Sequence, residues 1–112
     1  PALVVLARRI PLKFTVLEGK HVGKKGVACF MTRLSRKCSE ITLDEPVELL
    51  KNLKMNLVEV DQELENKDFY GKVVGHSEED VHSHVVRFTS VPAEVRSYFQ
   101  AHRQYGEKAP MN

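Results

Sequence analysis

The sequence predicts a mainly β domain, a small six-stranded barrel closed by a C-terminal α-helix. Three observations carry this. Short runs of alternating apolar and polar residues recur along most of the chain, divided by turn signals rich in Gly, Asp and Pro. The one clear helical periodicity falls at the end, over residues 91–105. A chain of 112 residues can build one hydrophobic core but not two, so 1–112 reads as a single domain. Residues 1–9 form a lead-in segment, 10–88 the barrel and 91–105 the helix.

The elements follow in order. Pro11–Glu18 alternates, with Leu12, Phe14 and Val16 on one side and Lys13 and Thr15 on the other. Gly19 to Lys25 makes a turn with basic residues at its tip. Gly26–Thr32 is apolar on both faces, as a central strand is, and Ser39–Leu43 is another strand, closed by the turn signature Asp44-Glu45-Pro46. Val47–Leu53 reads as a helical turn or an irregular connection, Met55–Val60 as a strand, and acidic Gln62–Lys67 as a loop. Phe69–Val74 and Val81–Phe88 pair as a hairpin, with Gly75 starting the turn. In the closing helix Ser90 is the expected cap, Pro92 suits the first turn and Glu94 sits near the positive end of the dipole. Val91, Val95, Tyr98, Phe99 and His102 share one face, and Gly106 is the expected stop.

Composition narrows the class. With 42% hydrophobic and 29% charged residues the chain is of the soluble globular type. Its apolar runs are far too short to span a bilayer, and Ala2–Ala7 lacks the basic flank and long apolar body of a signal peptide. Cys29 and Cys38 are the only cysteines, without a Cys-x-x-Cys pair, and read as free thiols in a reducing cytoplasm. The whole-chain charge of +2 hides a division by sign. Residues 1–37 carry nine Lys/Arg against one acid, net +8, whereas 38–80 carry twelve acids against four Lys/Arg, net −8. The basic part, with Arg8-Arg9 answered by Arg33-Leu34-Ser35-Arg36-Lys37, suggests a face for an anionic ligand.

Three stretches stand out: Arg9-Ile10-Pro11-Leu12-Lys13-Phe14-Thr15-Val16; Leu34-Ser35-Arg36-Lys37-Cys38-Ser39-Glu40-Ile41, followed by Asp44-Glu45-Pro46; and Gly71–Val74 with Val85–Phe88 and Pro92–Arg96. In these the chain resembles the PilZ domains, bacterial receptors for cyclic di-GMP. The first is similar to the family's first strand, the second to its second motif and the strand leaving it, and the third to its last hairpin and closing helix. The resemblance covers most of the chain in the right order. It implies a cytoplasmic signalling or regulatory domain without catalysis, with cyclic di-GMP as the ligand and no cofactor.

The binding motifs depart from the family pattern. Its first motif is Arg-x-x-x-Arg, two guanidinium forks that grip phosphate oxygens and guanine edges. With Arg9 as the second arginine the first position falls on Val5; with Arg9 as the first, Lys13 takes the second place. Arg8 is the available substitute. The second motif, Asp or Asn, x, Ser, x, x, Gly, becomes Arg33-Leu34-Ser35-Arg36-Lys37-Cys38, in which only the serine survives. Arg33 offers no acceptor to a guanine edge, and the Cβ of Cys38 makes positive φ or close approach costlier. The resemblance thus implies a ligand clamped by Arg8 and Arg9 and lined by Arg33, Ser35 and Arg36. The departures imply that direct nucleotide binding is weak or lost, leaving a protein-interaction adaptor with a regulatory or motility-related partner. Ser35 has an equally good alternative, closing a turn through the backbone.

Other constellations are poorer. His82 and His84 are predicted on one strand face, a spacing metals use, but without a third fixed ligand they indicate no metal site. No nucleophile is linked to a base, so no catalytic residue is assigned. Gly19–Val27 resembles the start of a KOW motif, whose lysines and amides can follow an RNA backbone. A KOW-like RNA-binding barrel is therefore the alternative. The acidic middle of the chain and the absence of Trp place it second.

Overall fold

The structure, a computed structural model, describes residues 3–20 and 22–108, and only the backbone of Val27, Ala28 and 104–108. His21 of the glycine–lysine turn, and residues 1, 2 and 109–112 of the expected domain, lie outside the described residues.

Six strands form a closed antiparallel barrel. They are β1 (Val4–Val16), β2 (Lys25–Leu34), β3 (Cys38–Thr42), β4 (Asn52–Leu57), β5 (Phe69–His76) and β6 (Ser83–Ser90), arranged around the barrel as β1-β2-β3-β6-β5-β4. A four-residue α1 (Gln62–Glu65) joins β4 to β5, and α2 (Ala93–Lys108) ends the described chain. The predicted barrel with a C-terminal helix is the observed fold.

Period-two alternation explains the interior. Ile10, Leu12, Phe14 and Val16 of β1 point inward, as do Met31 and Leu34 of β2, Leu53, Met55 and Leu57 of β4, and Phe69 and Val73 of β5. Leu12 faces Cys29 on one side and Leu57 on the other, so β1 is the seam along which the barrel shuts. Gly26 is where a large ring needs room: a Cβ there would collide with the inward Phe14 ring.

Antiparallel order gives the barrel two chemically different ends. At one, the 43–51 connection crosses the opening and buries Leu43 and Val47. Leu50 in that connection has φ 69° and a side chain 65% exposed, and its N–H donates to the Val73 carbonyl at 2.7 Å. At the other end α2 packs against β1 and buries Val95 and Phe99 in the same core as the strands. Phe99 meets Phe69 edge-on at 5.3 Å and stacks on Phe88 at 5.4 Å and 18°. An interlocked aromatic trio therefore holds the helix to the barrel.

Several boundaries differ from expectation, each for a local reason. Residues 4–9 of the lead-in segment belong to β1, with a register shift against β2 between Val5 and Ile10. The strand expected at Met55–Val60 is Asn52–Leu57, because Leu53, Met55 and Leu57 hold the inward positions and Glu59 turns the chain away at φ 60°. Gln62–Lys67 contains a helical turn, capped by the Asp61 carboxylate accepting from Leu64 N–H at 2.8 Å. Ser90 does not cap the final helix: it pairs with Tyr70 in the sheet. The helix starts at Ala93, with the Pro92 carbonyl accepting from Arg96 N–H at 3.0 Å, and runs through Gly106 to Lys108.

Candidate ligand-binding site at the helix end

The turn between β2 and β3 organises the helix end. Ser35 N–H donates to the Cys38 carbonyl at 2.8 Å. The Ser35 hydroxyl accepts from Cys38 N–H at 3.0 Å and Lys37 N–H at 3.3 Å, and donates to the Cys38 carbonyl at 3.3 Å. With only 3% of Ser35 exposed, its hydroxyl serves the turn, the alternative left open by the sequence. Cys38 begins β3 and is not among the residues with positive φ, so its Cβ meets no backbone strain. Two outside groups fasten the turn: Phe88 N–H donates to the Lys37 carbonyl at 2.8 Å, and the Arg96 guanidinium to the Arg36 carbonyl at 3.0 Å.

The predicted arginines divide between two surfaces. Arg8 and Arg9 are exposed in the irregular stretch of β1, and the Arg9 guanidinium lies 3.9 Å above the Phe30 ring centroid, a cation–π contact. Arg33, opposite Val5, sits 3.9 Å from the Glu40 carboxylate, which also accepts from the Ser83 hydroxyl at 2.9 Å. Phe30 precedes Arg33 by three residues on β2, about 10 Å along the strand. Arg9 and Arg33 thus share the outer wall of the barrel, while Ser35 and Arg36 line a separate cleft beneath α2.

That cleft has a volume of about 250 Å³. Its apolar floor is Leu34, Phe88 and Phe99; Arg36 comes from the turn, and α2 contributes Arg96, Gln100 and Arg103. No acid lines it. The three α2 residues were missed in the sequence, although their spacing of four and three places them on one helix face. What the sequence could not supply was the partner, since Arg96 meets a turn sixty residues away.

The opposite end carries the glycine–lysine turn and the histidines. Gly19 and Gly23 adopt φ 84° and 82°, which suits the turn to glycine. Lys24 pairs with Glu45 at 2.8 Å, and this hydrogen bond raises its pKa. One of the lysines expected to follow an RNA backbone is therefore partly neutralised. His82 and His84 do not share a strand face: His82 precedes β6 and is exposed, whereas His84 is fully buried. His84 Nε2 accepts from Val47 N–H at 2.9 Å, and its Nδ1 donates to the His82 carbonyl at 2.8 Å. The adjacent His76 Nε2 donates to the Val47 carbonyl at 2.6 Å. Burial pushes the His84 pKa below its ordinary value. Among the described residues no group of three or more His, Cys, Asp and Glu is placed to hold a metal. Nor is any helix among them long and apolar enough to cross a membrane.

No protein-family profile matches the chain, and no curated protein matches it in sequence. Its fold is similar to that of the Bacillus subtilis inhibitor of motility, MotI/DgrA, with a TM-score of 0.59 at 10% identity. The match covers 100% of this chain and 51% of that one, so the chain spans about half the length of its structural neighbour.

Proposed function

We propose that this chain is a bacterial, cytoplasmic regulatory domain of the PilZ class that works through protein contacts without catalysis, its direct binding of cyclic di-GMP weak or lost. The observation that carries this reading is the engagement of the motif residues with the fold itself. The Ser35 hydroxyl is held inside its own turn, Arg33 faces Glu40 and the Arg9 guanidinium sits over the Phe30 ring. A dinucleotide would have to displace these contacts before gaining its own, which lowers its affinity. The shared fold with a protein named as an inhibitor of motility supports a regulatory or motility-related partner.

Isothermal titration of the domain with cyclic di-GMP, with GTP and a short RNA as controls, tests it. The expected result is no saturable heat at micromolar concentrations. Tight binding of cyclic di-GMP would make the domain a direct receptor instead. If such a complex forms and Arg9→Ala leaves its affinity untouched, the assignment of Arg9 is wrong. A response to RNA alone would transfer the function to the Gly19–Val27 turn.

A further inference from the structure

We propose that the outer wall of the barrel across β1, β4, β5 and β6 is the docking surface for a short acidic segment of a protein partner, its carboxylates held by Lys25, Lys54, Lys72 and Arg87. This inference rests on the adaptor reading above and names the chemistry of the partner that reading requires.

Strand register brings the four cations together. On the outward face, Thr15 of β1 lies opposite Lys25 of β2 on one side and Lys54 of β4 on the other. Lys54 lies opposite Tyr70 of β5, and Lys72, two residues further along the same face, lies opposite Arg87 of β6. Strands far apart in sequence thus supply one basic belt. From Lys25 to Arg87 it crosses four strand spacings, roughly 19 Å.

The fold does not use these cations. Lys13, Lys24, Arg33 and Lys67 each face an acid. Among the described residues no ion pair or side-chain hydrogen bond engages Lys25, Lys54, Lys72 or Arg87, and the Thr15 hydroxyl is likewise without a partner. Lys72 and Arg87 are like charges directly across a strand pair, an arrangement that costs stability. Such a conflict persists where a surface serves a partner rather than the fold.

Neighbouring acids set the limits of the belt and so the size of its ligand. The Glu18 carboxylate accepts from the Asn52 backbone and side chain at 3.2 and 2.7 Å, and Asp68 accepts from the Asn56 side chain at 2.6 Å. Glu65 faces Lys13, and Glu40 is held between Arg33 and the Ser83 hydroxyl. A depression of about 430 Å³ lies among Lys25, Lys54 and Thr15, lined also by Lys13, Glu65 and Asp68. It suits one carboxylate above Thr15, between two ammonium groups and beside a hydroxyl donor. A long phosphodiester chain would run onto the bordering acids and would find one ring, the half-buried Tyr70, to stack on. A peptide of about six extended residues spans the belt and keeps its carboxylates inside it.

The test is a ¹H–¹⁵N correlation titration of the full chain at low salt with three probes: an end-blocked octapeptide of alternating Glu and Gly, its Gln–Gly counterpart, and an oligothymidylate of equal length. Saturable shifts are expected at 15, 25, 54, 70, 72 and 87 with the Glu peptide, lost in about 0.5 M salt, and none with the Gln peptide. Lys54→Glu should weaken binding about tenfold or more. Lys72→Glu should do the same while raising the urea midpoint, because it turns the like-charge pair with Arg87 into an opposite pair. A merely structural effect would move both readings in the same direction. Absence of saturable shifts with the Glu peptide at about 5 mM overturns the proposal. Equal shifts with the Gln peptide, shifts centred on the Arg9–Phe30–Arg33 wall, or tighter binding of the oligothymidylate do the same. Saturable heat with cyclic di-GMP in the titration above would remove the adaptor reading without moving these shifts, whereas their absence here removes this surface and leaves the adaptor reading to another face.

Discussion

Acidification should loosen the end of the barrel opposite α2, and His84 sets the direction. Its Nε2 accepts from Val47 N–H, so the ring is neutral with its hydrogen on Nδ1, where the His82 carbonyl receives it. A second proton would have to settle on Nε2, turning the acceptor into a donor aimed at another donor 2.9 Å away. The neighbouring His76 ring, 4.8 Å off, adds repulsion once it is charged, and Asp80 only partly opposes this. Losing the partner of a buried N–H costs about 1–3 kcal/mol, out of a total of about 5–15 kcal/mol for a domain. In the unfolded chain the imidazole titrates near its ordinary value of about 6.5, whereas in the folded protein burial holds it lower. The unfolded state therefore binds more protons as the pH falls through 6.5, and stability declines from there down to the folded pKa. Urea unfolding of the wild type and of His84→Leu between pH 8 and pH 5 isolates this group from the other histidines. The wild type should lose up to about 2 kcal/mol more over that range than the variant, the ceiling for a single group whose unfolded pKa is about 6.5 and which is followed down to pH 5. Equal pH slopes for the two proteins would refute the reasoning.

Three further outcomes are expected. Burial, and secondarily the charge of Asp44, pushes the Cys29 thiol up to about 12, and its Sγ donates to the Leu12 carbonyl at 2.8 Å; a thiol reagent at pH 8 should therefore titrate Cys38 alone in the native protein and both cysteines after unfolding. Ser39 is fully buried and its hydroxyl has no hydrogen-bond partner among the described residues, so Ser39→Ala should stabilise the domain by about 1 kcal/mol in urea melts; destabilisation of that size would show a hidden partner. Leu50 holds a positive φ with an exposed side chain, and Leu50→Gly should raise stability by about 1 kcal/mol, visible as a higher urea midpoint at unchanged slope.

The barrel was legible because inward residues alternate over 10–16, 38–42 and 69–73, and the helix because Val95, Tyr98 and Phe99 recur at helical spacing. The front of β1 was not, since the register shift between Val5 and Ile10 breaks the alternation at Leu6–Arg9. α1 is a single turn fixed by one aspartate, too short for any period to show. His82 and His84 were misjudged because strand parity holds only inside a strand, and His82 lies just before one. Site residues were legible only in part. The turn around Ser35 could be read from neighbours in sequence, but the meeting of Arg36 with Arg96 depends on docking α2, which no local pattern encodes.

The closing seam also limits how another protein can attach. β4 pairs with β1 only from Leu12 to Val16, so the earlier part of β1 has no strand beside it there, and α2 packs against β1. In the barrel body every strand already has two neighbours. Over the barrel body a visiting chain therefore finds no ready backbone ladder to extend. Recognition there has to be written in side chains and turns, which makes the identity of a few surface residues, rather than the fold they share with other barrels, the variable through which partner choice can evolve.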